Sequence, residues 1–231
     1  MIDLQRLRPA RDGKSKQPVQ ARGERQKARL LLASRQTFTR LGYADTRVAD
    51  IVREAGVAHG TFYTYFDSRE DVLMAIARDA FQSLVTAFED GTAGLEQAAA
   101  LHASISAYID AFERVADVMA VVEQAGALHP AVKALNAQYS DLLITSIQQA
   151  VTRGRAGAVV RRRGRSAAWA IYGALDALLH AWLIRKQDLD RRHVVQTVGE
   201  LLAIWVPEQV MTAPMYMKKK LSGARAMRDG T

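Results

Sequence analysis

Five side chains between residues 59 and 65 have the chemistry to bind a nucleic acid. They offer hydrogen-bond donors and flat rings within one short stretch: His59, Thr61, Tyr63, Thr64 and Tyr65. Phe62 and Phe66 lie among them and supply apolar contacts on a largely different face of a helix. Polar and aromatic groups on one exposed face suit the groove of a duplex, where donors meet base edges and phosphates.

Aromatic residues at this spacing also have a simpler interpretation as members of the core. We assign that role to the two phenylalanines. For His59, Thr61 and Tyr63 it would leave bulky groups on the solvated face of a short helix, which favours DNA contact. The two assignments are balanced for Tyr65. Arg47 is interpreted as a solvated charge, with a phosphate contact as the lesser alternative.

The spacing around these residues predicts two short helices joined by a glycine turn. Apolar residues recur at helical spacing ahead of the turn, at Val48, Ile51 and Val52. Thr46 precedes them with a hydroxyl able to cap exposed amides, and Gly56 can adopt the left-handed conformation that ends a helix. In a helix-turn-helix the second helix places its N-terminal residues in the major groove. Gly60 within that helix would let the DNA backbone or the first helix approach.

Several motifs in register make this segment resemble the N-terminal domain of the TetR/AcrR transcriptional regulators. The match covers residues 25 to about 75 and includes Phe38, Gly42, Tyr43, Thr46, Val48, Ile51, Ala55, Gly56, Val57, Gly60, Thr61, Tyr63, Tyr65, Phe66 and Arg69. The resemblance implies a domain that binds double-stranded DNA. The residues predicted to contact it are Thr46, Arg47, His59, Gly60, Thr61, Tyr63, Thr64, Tyr65 and Arg69.

Two positions depart from the family pattern. Ala58 lies where the family usually has Ser or Thr, so it can neither cap the second helix nor touch a phosphate. Losing such a cap costs roughly 0.5 to 2 kcal/mol, so this helix would gain order when DNA phosphates meet its amides. Arg69 replaces a Lys and keeps the charge that would meet a phosphate near the start of the next helix.

The composition agrees with a polyanionic partner. The 231 residues carry 32 Lys and Arg against 24 Asp and Glu, a formal net charge of +8. Residues 1–22 are basic and lack a sustained apolar period, which predicts a disordered arm that either adds DNA contacts or only solvates. Residues 207–231 are predicted to form a similar basic, disordered tail.

Compartment and membrane association are constrained by the same composition. The chain has no cysteine, which excludes disulfides and a thiolate nucleophile and fits a reducing cytoplasm. No signal-peptide core follows the N-terminal charges. No stretch approaches the ~20 apolar residues of a membrane span. We therefore predict a cytoplasmic protein without a membrane partner.

Beyond Phe66 the pattern is helical throughout, which predicts an all-α fold of about nine helices. Residues 23–67 would form the helix-turn-helix domain, and residues 68–206 an effector-binding and dimerisation domain. Ser68 begins a long helix that ends near residue 88. Further helices are predicted over 95–114, 118–128 and 130–151, the last with Pro130 in its first turn. An Arg-rich loop at 153–165 precedes two helices, over 166–186 and 190–206.

The helix predicted over 166–186 is apolar around most of its circumference and cannot bury itself against one core. Such a helix needs a second neighbour, so we predict a two-fold homodimer built as a four-helix bundle, as the resemblance also implies. This dimer would set two recognition helices one helical turn apart on a near-palindromic operator. The predicted interface residues are Tyr172, Leu175, Asp176, Leu179, His180, Trp182, Leu183, Val194, Val198, Leu201, Leu202 and Trp205.

Asp176 and His180 lie one turn apart and could begin a metal or catalytic site. No third ligand follows at fixed spacing, so a buried pair or a polar ledge that fixes dimer register is the preferred interpretation. No nucleophile, phosphate loop or paired carboxylates occur in a catalytic context. The sequence therefore gives no basis for an enzyme, a metal site or a cofactor.

The resemblance also implies an effector pocket in the helical domain, whose occupation would splay the DNA-binding domains away from operator spacing. The candidate lining residues are Tyr108, Phe112, Met119, Val122, Tyr139, Trp169 and Tyr172. Plain core is the alternative for each of them. The hypothesis is a transcriptional regulator, most often a repressor in this family, released by a small apolar molecule. The alternative is a ligand-independent dimeric DNA-binding protein, nucleoid-associated or partner-controlled.

Overall fold

The computed structural model describes residues 19–91, 97–153 and 157–205. Within these ranges the chain forms eight α-helices and one π-helical segment, and no strand. In chain order the elements are α1 (Val19–Leu41), α2 (Val48–Ala55), α3 (His59–Tyr63), α4 (Arg69–Asp90), α5 (Gln97–Gly126), α6 (Pro130–Thr152), α7 (Ala158–Leu179), the π segment (His180–Ile184) and α8 (Arg191–Trp205). The predicted all-α fold is confirmed.

Helices α1 to α3 form a three-helix unit that we call the head. Its core is built from aromatic and aliphatic side chains that are almost fully buried, among them Leu30, Phe38, Tyr43, Ile51 and Phe62. Gly56 ends α2 in the left-handed conformation, with φ 61° and ψ 41°. Arg29 reaches across from α1 and donates from Nη2 to the carbonyl of Ala55 at 2.6 Å. The predicted glycine turn is therefore confirmed, with a guanidinium satisfying the exposed end of α2.

Helices α4 to α8, with the π segment, form the body. Ser68 caps α4, because its Oγ accepts from the amide of Asp71 at 3.1 Å, as the sequence predicts. Helix α4 leads out of the head and packs along α5 and α6, while α6 packs along α7. The chain crosses closely at Gly91, where an added Cβ would lie 2.5 Å from the Cα of Ser104. Glycine is therefore required for this α4–α5 contact.

Three predicted boundaries are wrong. The helices expected over 95–114 and 118–128 are one helix, α5, because nothing between them breaks the ladder and Asp117 is held by a partner in the head. Helix α7 begins at Ala158, inside the segment expected as an Arg-rich loop. Helix α1 begins at Val19, inside the segment expected as an arm. The rest of that arm, residues 1–18, and the tail from residue 206 lie outside the described residues.

The segment Val160–Ile184 is an exception to the expectation about membrane spans. It is long and apolar enough to cross a membrane by length and composition, and 28% of its most apolar window is buried in the protomer. Core helices of globular proteins pass the same test. Ile171, Leu175 and Leu179 are buried, whereas Trp169 is 50% exposed and Trp182 is half-buried. One side of the helix thus packs in the body and the other side stays partly uncovered.

Candidate nucleic-acid interface and effector cavity

The exposed face of α3 carries most of the predicted DNA-binding side chains. His59, Tyr63 and Thr64 are exposed and Thr61 is half-buried, while Phe62 is fully buried beneath them. The rings of His59 and Tyr63 lie 5.4 Å apart, so they form one aromatic ridge. The helix begins after Ala58, which has no side-chain cap bond, as predicted from its residue type. This face can offer an imidazole, a phenol and hydroxyls to a ligand outside the protein.

Gly60 lies on the open side of the same helix. A Cβ built there would meet no atom within 4 Å, so the first helix does not approach it. Close approach of α1 is thereby excluded as the reason for a glycine. Approach of a DNA backbone, the other predicted reason, would come from the solvent side.

Thr46 has a different role from the one predicted. It is completely buried, and its hydroxyl donates to the carbonyl of Gly42 at 2.7 Å. The residue before α2 is Arg47, whose amide donates to the carboxylate of Asp50 at 3.1 Å. Thr46 therefore closes the loop between α1 and α2 and does not cap α2. Its buried hydroxyl is turned away from any DNA, whereas the Arg47 side chain is exposed.

Arg69 is also committed inside the protein. Its Nη1 donates to the carbonyls of Tyr43, Ala44 and Thr46 at 3.1, 3.0 and 2.5 Å. Its guanidinium lies 4.7 Å above the centroid of the Tyr43 ring. This position was predicted to meet a phosphate, but the guanidinium instead satisfies three carbonyls of the loop before α2.

Tyr65, for which a core role and a DNA contact were equally favoured, is bonded within the head. It donates to Oε1 of Gln26 at 3.2 Å, and the ring is half-buried against the core. Tyr65 thus joins the end of the recognition segment to α1, and its hydroxyl is already paired in the DNA-free protein.

Side-chain contacts at three places join the head to α5 and to the loop that follows it. The first is a bidentate pair between Arg35 and Asp117, with distances of 2.7 Å from Nε and 2.6 Å from Nη2. Burial pushes the pKa of Asp117 upward, but the hydrogen bond and charge of Arg35 outweigh it and hold that pKa below its usual value. The Arg35 guanidinium also donates to the carbonyl of Arg114 at 2.7 Å.

The second and third contacts converge on the loop between α5 and α6. The amide of Tyr43 donates to Oε1 of Gln124 at 3.2 Å. Nδ1 of His129 lies 3.2 Å from Oε2 of Glu70, and its ring meets the Tyr43 ring edge-on at 5.1 Å. Sequence reasoning missed Arg35, Gln124 and His129, because their partners lie about 60 to 80 residues away and no local pattern signals such pairs.

An open cavity of about 840 Å³ lies beside this loop in the body. It falls within the size range of small-molecule sites, roughly 300 to 1,000 Å³. Six of its lining residues besides Tyr172 are ionisable, so its wall is more polar than the predicted apolar pocket. The lining residues are Met119, Val122, Glu123, Gly126, Ala127, Leu128, His129, Pro130, Lys133, Asn136, Tyr172, Asp176, Ala177, His180 and Arg185.

The seven candidate pocket residues fall into two groups. Met119, Val122 and Tyr172 line the cavity, and the Tyr172 hydroxyl lies 2.6 Å from that of Ser140. The other four do not line it. Tyr108, Phe112 and Tyr139 are buried in the core, with the two tyrosine hydroxyls 2.6 Å apart, and Trp169 is half exposed elsewhere on α7. Those four predictions of a cavity wall are wrong for this cavity.

Asp176 and His180 lie in the cavity wall. Burial raises the pKa of Asp176 above its ordinary value, Glu123 adds to this effect, and His180 opposes it. His180 Nδ1 lies 2.8 Å from the backbone oxygen of Asp176 and 3.4 Å from its carboxylate. Among residues 19–91, 97–153 and 157–205, no group of three or more metal-ligating side chains occurs. The π segment that carries His180 is a helix type often found at functional sites.

The predicted dimer residues divide by burial. Leu175, Leu179, Val194 and Val198 are buried within the protomer itself, so their side chains are already covered. That part of the interface prediction is wrong, because α7 and α8 each have an inner face that packs in the body. Tyr172, Trp182, Leu183 and Leu201 are half-buried, and Tyr172 lies in the cavity wall. The side chains of Leu202 and Trp205 lie outside the described ones.

Comparison with known proteins identifies the head. Residues 30–76 match the family model of bacterial regulatory proteins, tetR family. An uncharacterized HTH-type transcriptional regulator, YfiR of Bacillus subtilis, is 31% identical over 107 residues, which are 43% of this chain and 49% of the relative. The chain spans about half or less of the length of the curated relatives it matches.

Solved structures share the fold of the whole described chain. A transcriptional regulator (TerR/AcrR family) from Aquifex aeolicus superposes with a TM-score of 0.65 at 17% identity, over 78% of this chain and 99% of that one. FadR from Bacillus subtilis in complex with stearoyl-CoA superposes with a TM-score of 0.60 at 21% identity, over 78% and 99% of the two chains. The named relatives are transcriptional regulators.

Proposed function

We propose that this chain, whose N-terminal helices are a tetR-family DNA-binding domain on a TetR/AcrR fold, is a homodimeric regulator that represses transcription until a small molecule releases it. The observation that carries the proposal is the exposed face of α3. His59 and Tyr63 flank the fully buried Phe62 and stay exposed, so their polar groups face the solvent. Thr64 is exposed as well; its hydroxyl donates to the carbonyl of Gly60 at 3.4 Å and keeps its acceptor lone pairs. A recognition helix needs this arrangement to enter a major groove.

The proposed operator contacts are fewer than the sequence suggested. We retain the face of α3, with Gly60 as the point of closest backbone approach and Arg47 as a candidate phosphate contact. Thr46, Tyr65 and Arg69 are left out, because their polar groups are occupied inside the head. Most of the specificity then rests on four side chains: His59, Thr61, Tyr63 and Thr64.

The proposed effector is amphipathic. Met119, Val122 and Tyr172 offer an apolar patch in the cavity, while Lys133 and Arg185 offer positive charge and Glu123 and Asp176 negative charge. A molecule with an apolar body and a polar or charged group would use both kinds of surface. FadR, of similar fold, was solved with stearoyl-CoA, a molecule of this general kind. The 840 Å³ cavity supports a ligand class and does not select one compound.

The loop that walls the cavity provides a route from effector to DNA. Residues 126–130 line the cavity. Gln124 accepts from the amide of Tyr43 in the head, and His129 meets both the Tyr43 ring and Glu70 at the start of α4. An effector that displaced this loop would move the head relative to the body. In a dimer this would change the distance between the two recognition helices. For this coupling to operate, the effector must bind the displaced and undisplaced arrangements of the loop with different free energies.

Dimerisation is proposed through the outer sides of α7 and α8. The half-exposed Trp169, with Trp182 and Leu183, leaves an incompletely covered apolar surface there, which a second copy would bury. We propose that this burial, rather than a bilayer, accounts for the apolar segment Val160–Ile184, and that the protein acts in the cytoplasm.

A ligand-independent dimeric DNA-binding protein is the remaining alternative, favoured only if no effector changes operator binding.

Footprinting of the purified chain on the DNA upstream of its own gene and its neighbours tests the proposal. We expect a short protected near-palindrome, and stearoyl-CoA and shorter acyl-CoAs serve as first probes for its release. Protection that no cavity-binding compound weakens would contradict the effector. Broad, sequence-blind protection that salt removes steeply would favour the nucleoid-associated alternative.

A further inference from the structure

The first turns of α7 carry an unusual group of cations. Arg161, Arg162, Arg163 and Arg165 are all exposed, and we call them the α7 arginine patch. None of them forms an ion pair in the parts of the chain that the structure describes. Two other body arginines do form ion pairs, Arg185 with Glu123 at 3.4 Å and Arg191 with Asp110 at 2.6 Å.

The local packing spreads these arginines over the outer surface of the helix. Gly164 is the buried member of the segment, and a Cβ there would overlap the methyl group of Thr152 on α6. At 3.6 residues per turn, Arg161 and Arg165 share one side and Arg162 lies beside them, all away from that contact. Like charges one turn apart destabilise a helix, and no carboxylate in the described ranges pairs with these arginines. Stability of the fold therefore does not account for the patch.

The patch lies at the end of the body farthest from the head. Helix α4 has 22 residues and leads away from the head for about 33 Å at 1.5 Å per residue. At its far end Glu89 accepts from Ser146 on α6 at 2.9 Å. Thr152, which packs on Gly164, lies further along α6 in the same direction. A straight duplex seated under the recognition helix cannot reach these arginines.

We propose that the α7 arginine patch binds the phosphates of a second DNA duplex, so that one protein molecule can hold two DNA segments. Guanidinium groups pair with phosphate oxygens and release condensed counterions when they do so. The arginines project in several directions from a convex helix, which suits backbone contact without base reading. This function goes beyond operator binding and does not depend on an effector.

The test uses the full chain saturated with an unlabelled operator duplex, to which a fluorescent duplex of unrelated sequence is added. The patch variant is Arg161→Gln with Arg165→Gln. The matched control is Arg78→Gln with Arg114→Gln, which removes the same charge from exposed positions elsewhere. We expect the wild type and the control to bind the second duplex. The patch variant should bind it about tenfold or more weakly at ~0.1 M salt, with a salt slope smaller by about 1.8.

Equal binding of the second duplex by the patch and control variants would overturn the proposal, as would a wild-type complex that binds no second duplex. Light scattering measures the oligomeric state of the variants. A patch variant that dissociates into monomers would show that the arginines pair with a second copy of the chain, which also overturns the proposal. Binding of phosphatidylglycerol vesicles in place of the duplex would make a membrane the partner and overturn DNA. If the protein has no operator, the titration with the operator duplex reaches no stoichiometric endpoint. Failure of the proposed operator binding is thereby distinguished from failure of the second-duplex proposal.

Discussion

A methyl group added at Gly60 should separate the stability of the head from its affinity for DNA. The added Cβ meets no atom within 4 Å in the free protein, and Gly60 lies within α3 at a negative φ. Replacing a helical Gly by Ala stabilises by roughly 0.5 to 1 kcal/mol, which is a rise in Tm of about 1 to 4 °C for a chain of this size. If a DNA backbone approaches this surface, the same methyl group obstructs it. If the methyl group costs one charge-assisted hydrogen bond to a phosphate, about 1.5 to 3 kcal/mol, operator binding weakens about tenfold or more.

The assay pairs thermal unfolding with fluorescence anisotropy on the operator. Ala58→Ser is the matched variant, because it supplies the missing cap and also stabilises α3, by roughly 0.5 to 2 kcal/mol, without adding bulk at Gly60. We expect both variants to unfold at higher temperature and only Gly60→Ala to lose operator affinity. The reasoning is refuted if Gly60→Ala binds the operator as tightly as the wild type. Equal losses by both variants would instead mean that rigidity of α3 impairs binding.

Three further substitutions test the packing of head and body. Tyr43→Phe removes a buried hydroxyl that has no hydrogen-bond partner among the described residues, so urea unfolding should show unchanged stability or a gain of up to about 1 kcal/mol. A loss of stability would reveal a hydrogen-bond partner. Gly91→Ala drives a Cβ into the backbone of Ser104 and should lower the free energy of unfolding by about 1 to 3 kcal/mol in the same assay. Unchanged stability would mean that α4 and α5 move apart at low cost. Asp117, whose pKa is lowered, stabilises the fold above its unfolded pKa and loses this effect as pH falls through the folded value. Asp117→Asn should therefore flatten the decline in stability below about pH 4, and an unchanged acid limb would show that the Arg35 pair adds nothing.

Local patterns were sufficient to predict the turns and caps of the head. Gly56 could be assigned from its residue type, because few other residues adopt the left-handed conformation cheaply. Ser68 and Pro130 were assigned for similarly local reasons, and both lie where the sequence placed them. Phe62 and Phe66 could be separated from their polar neighbours because helical spacing puts them on another face.

The roles of Thr46 and Arg69 could not be predicted, because they depend on which carbonyls the fold brings near. A threonine ahead of a helix has two uses for its hydroxyl, and spacing alone does not distinguish a cap from a loop closure. The Arg69 guanidinium finds three carbonyls that belong to a loop about 25 residues earlier. The polarity of the cavity was missed for a related reason, since its charged residues come from three separate helices and the π segment.

The dimer prediction failed in part because periodicity counts apolar residues without saying which neighbour covers them. Leu175 and Leu179 are as apolar as Trp182 and Leu183, yet only the former pair is buried by the protomer itself. That such an apolar helix needs a second neighbour stays a prediction. Assigning each side chain to a neighbour required the packing of α7 against α6 and α8.

Footprinting with a double variant on α3 tests the central claim most directly. Thr61→Ala with Tyr63→Ala removes a hydroxyl and a ring that is 51% exposed, while the buried Phe62 that supports the helix stays in place. Thr145→Ala, an exposed threonine on α6, serves as the control. The account predicts that wild type and control protect one short near-palindrome and that the double variant, still folded by circular dichroism, does not. Protection of the same site by the double variant would contradict the assignment of α3 as the reading element.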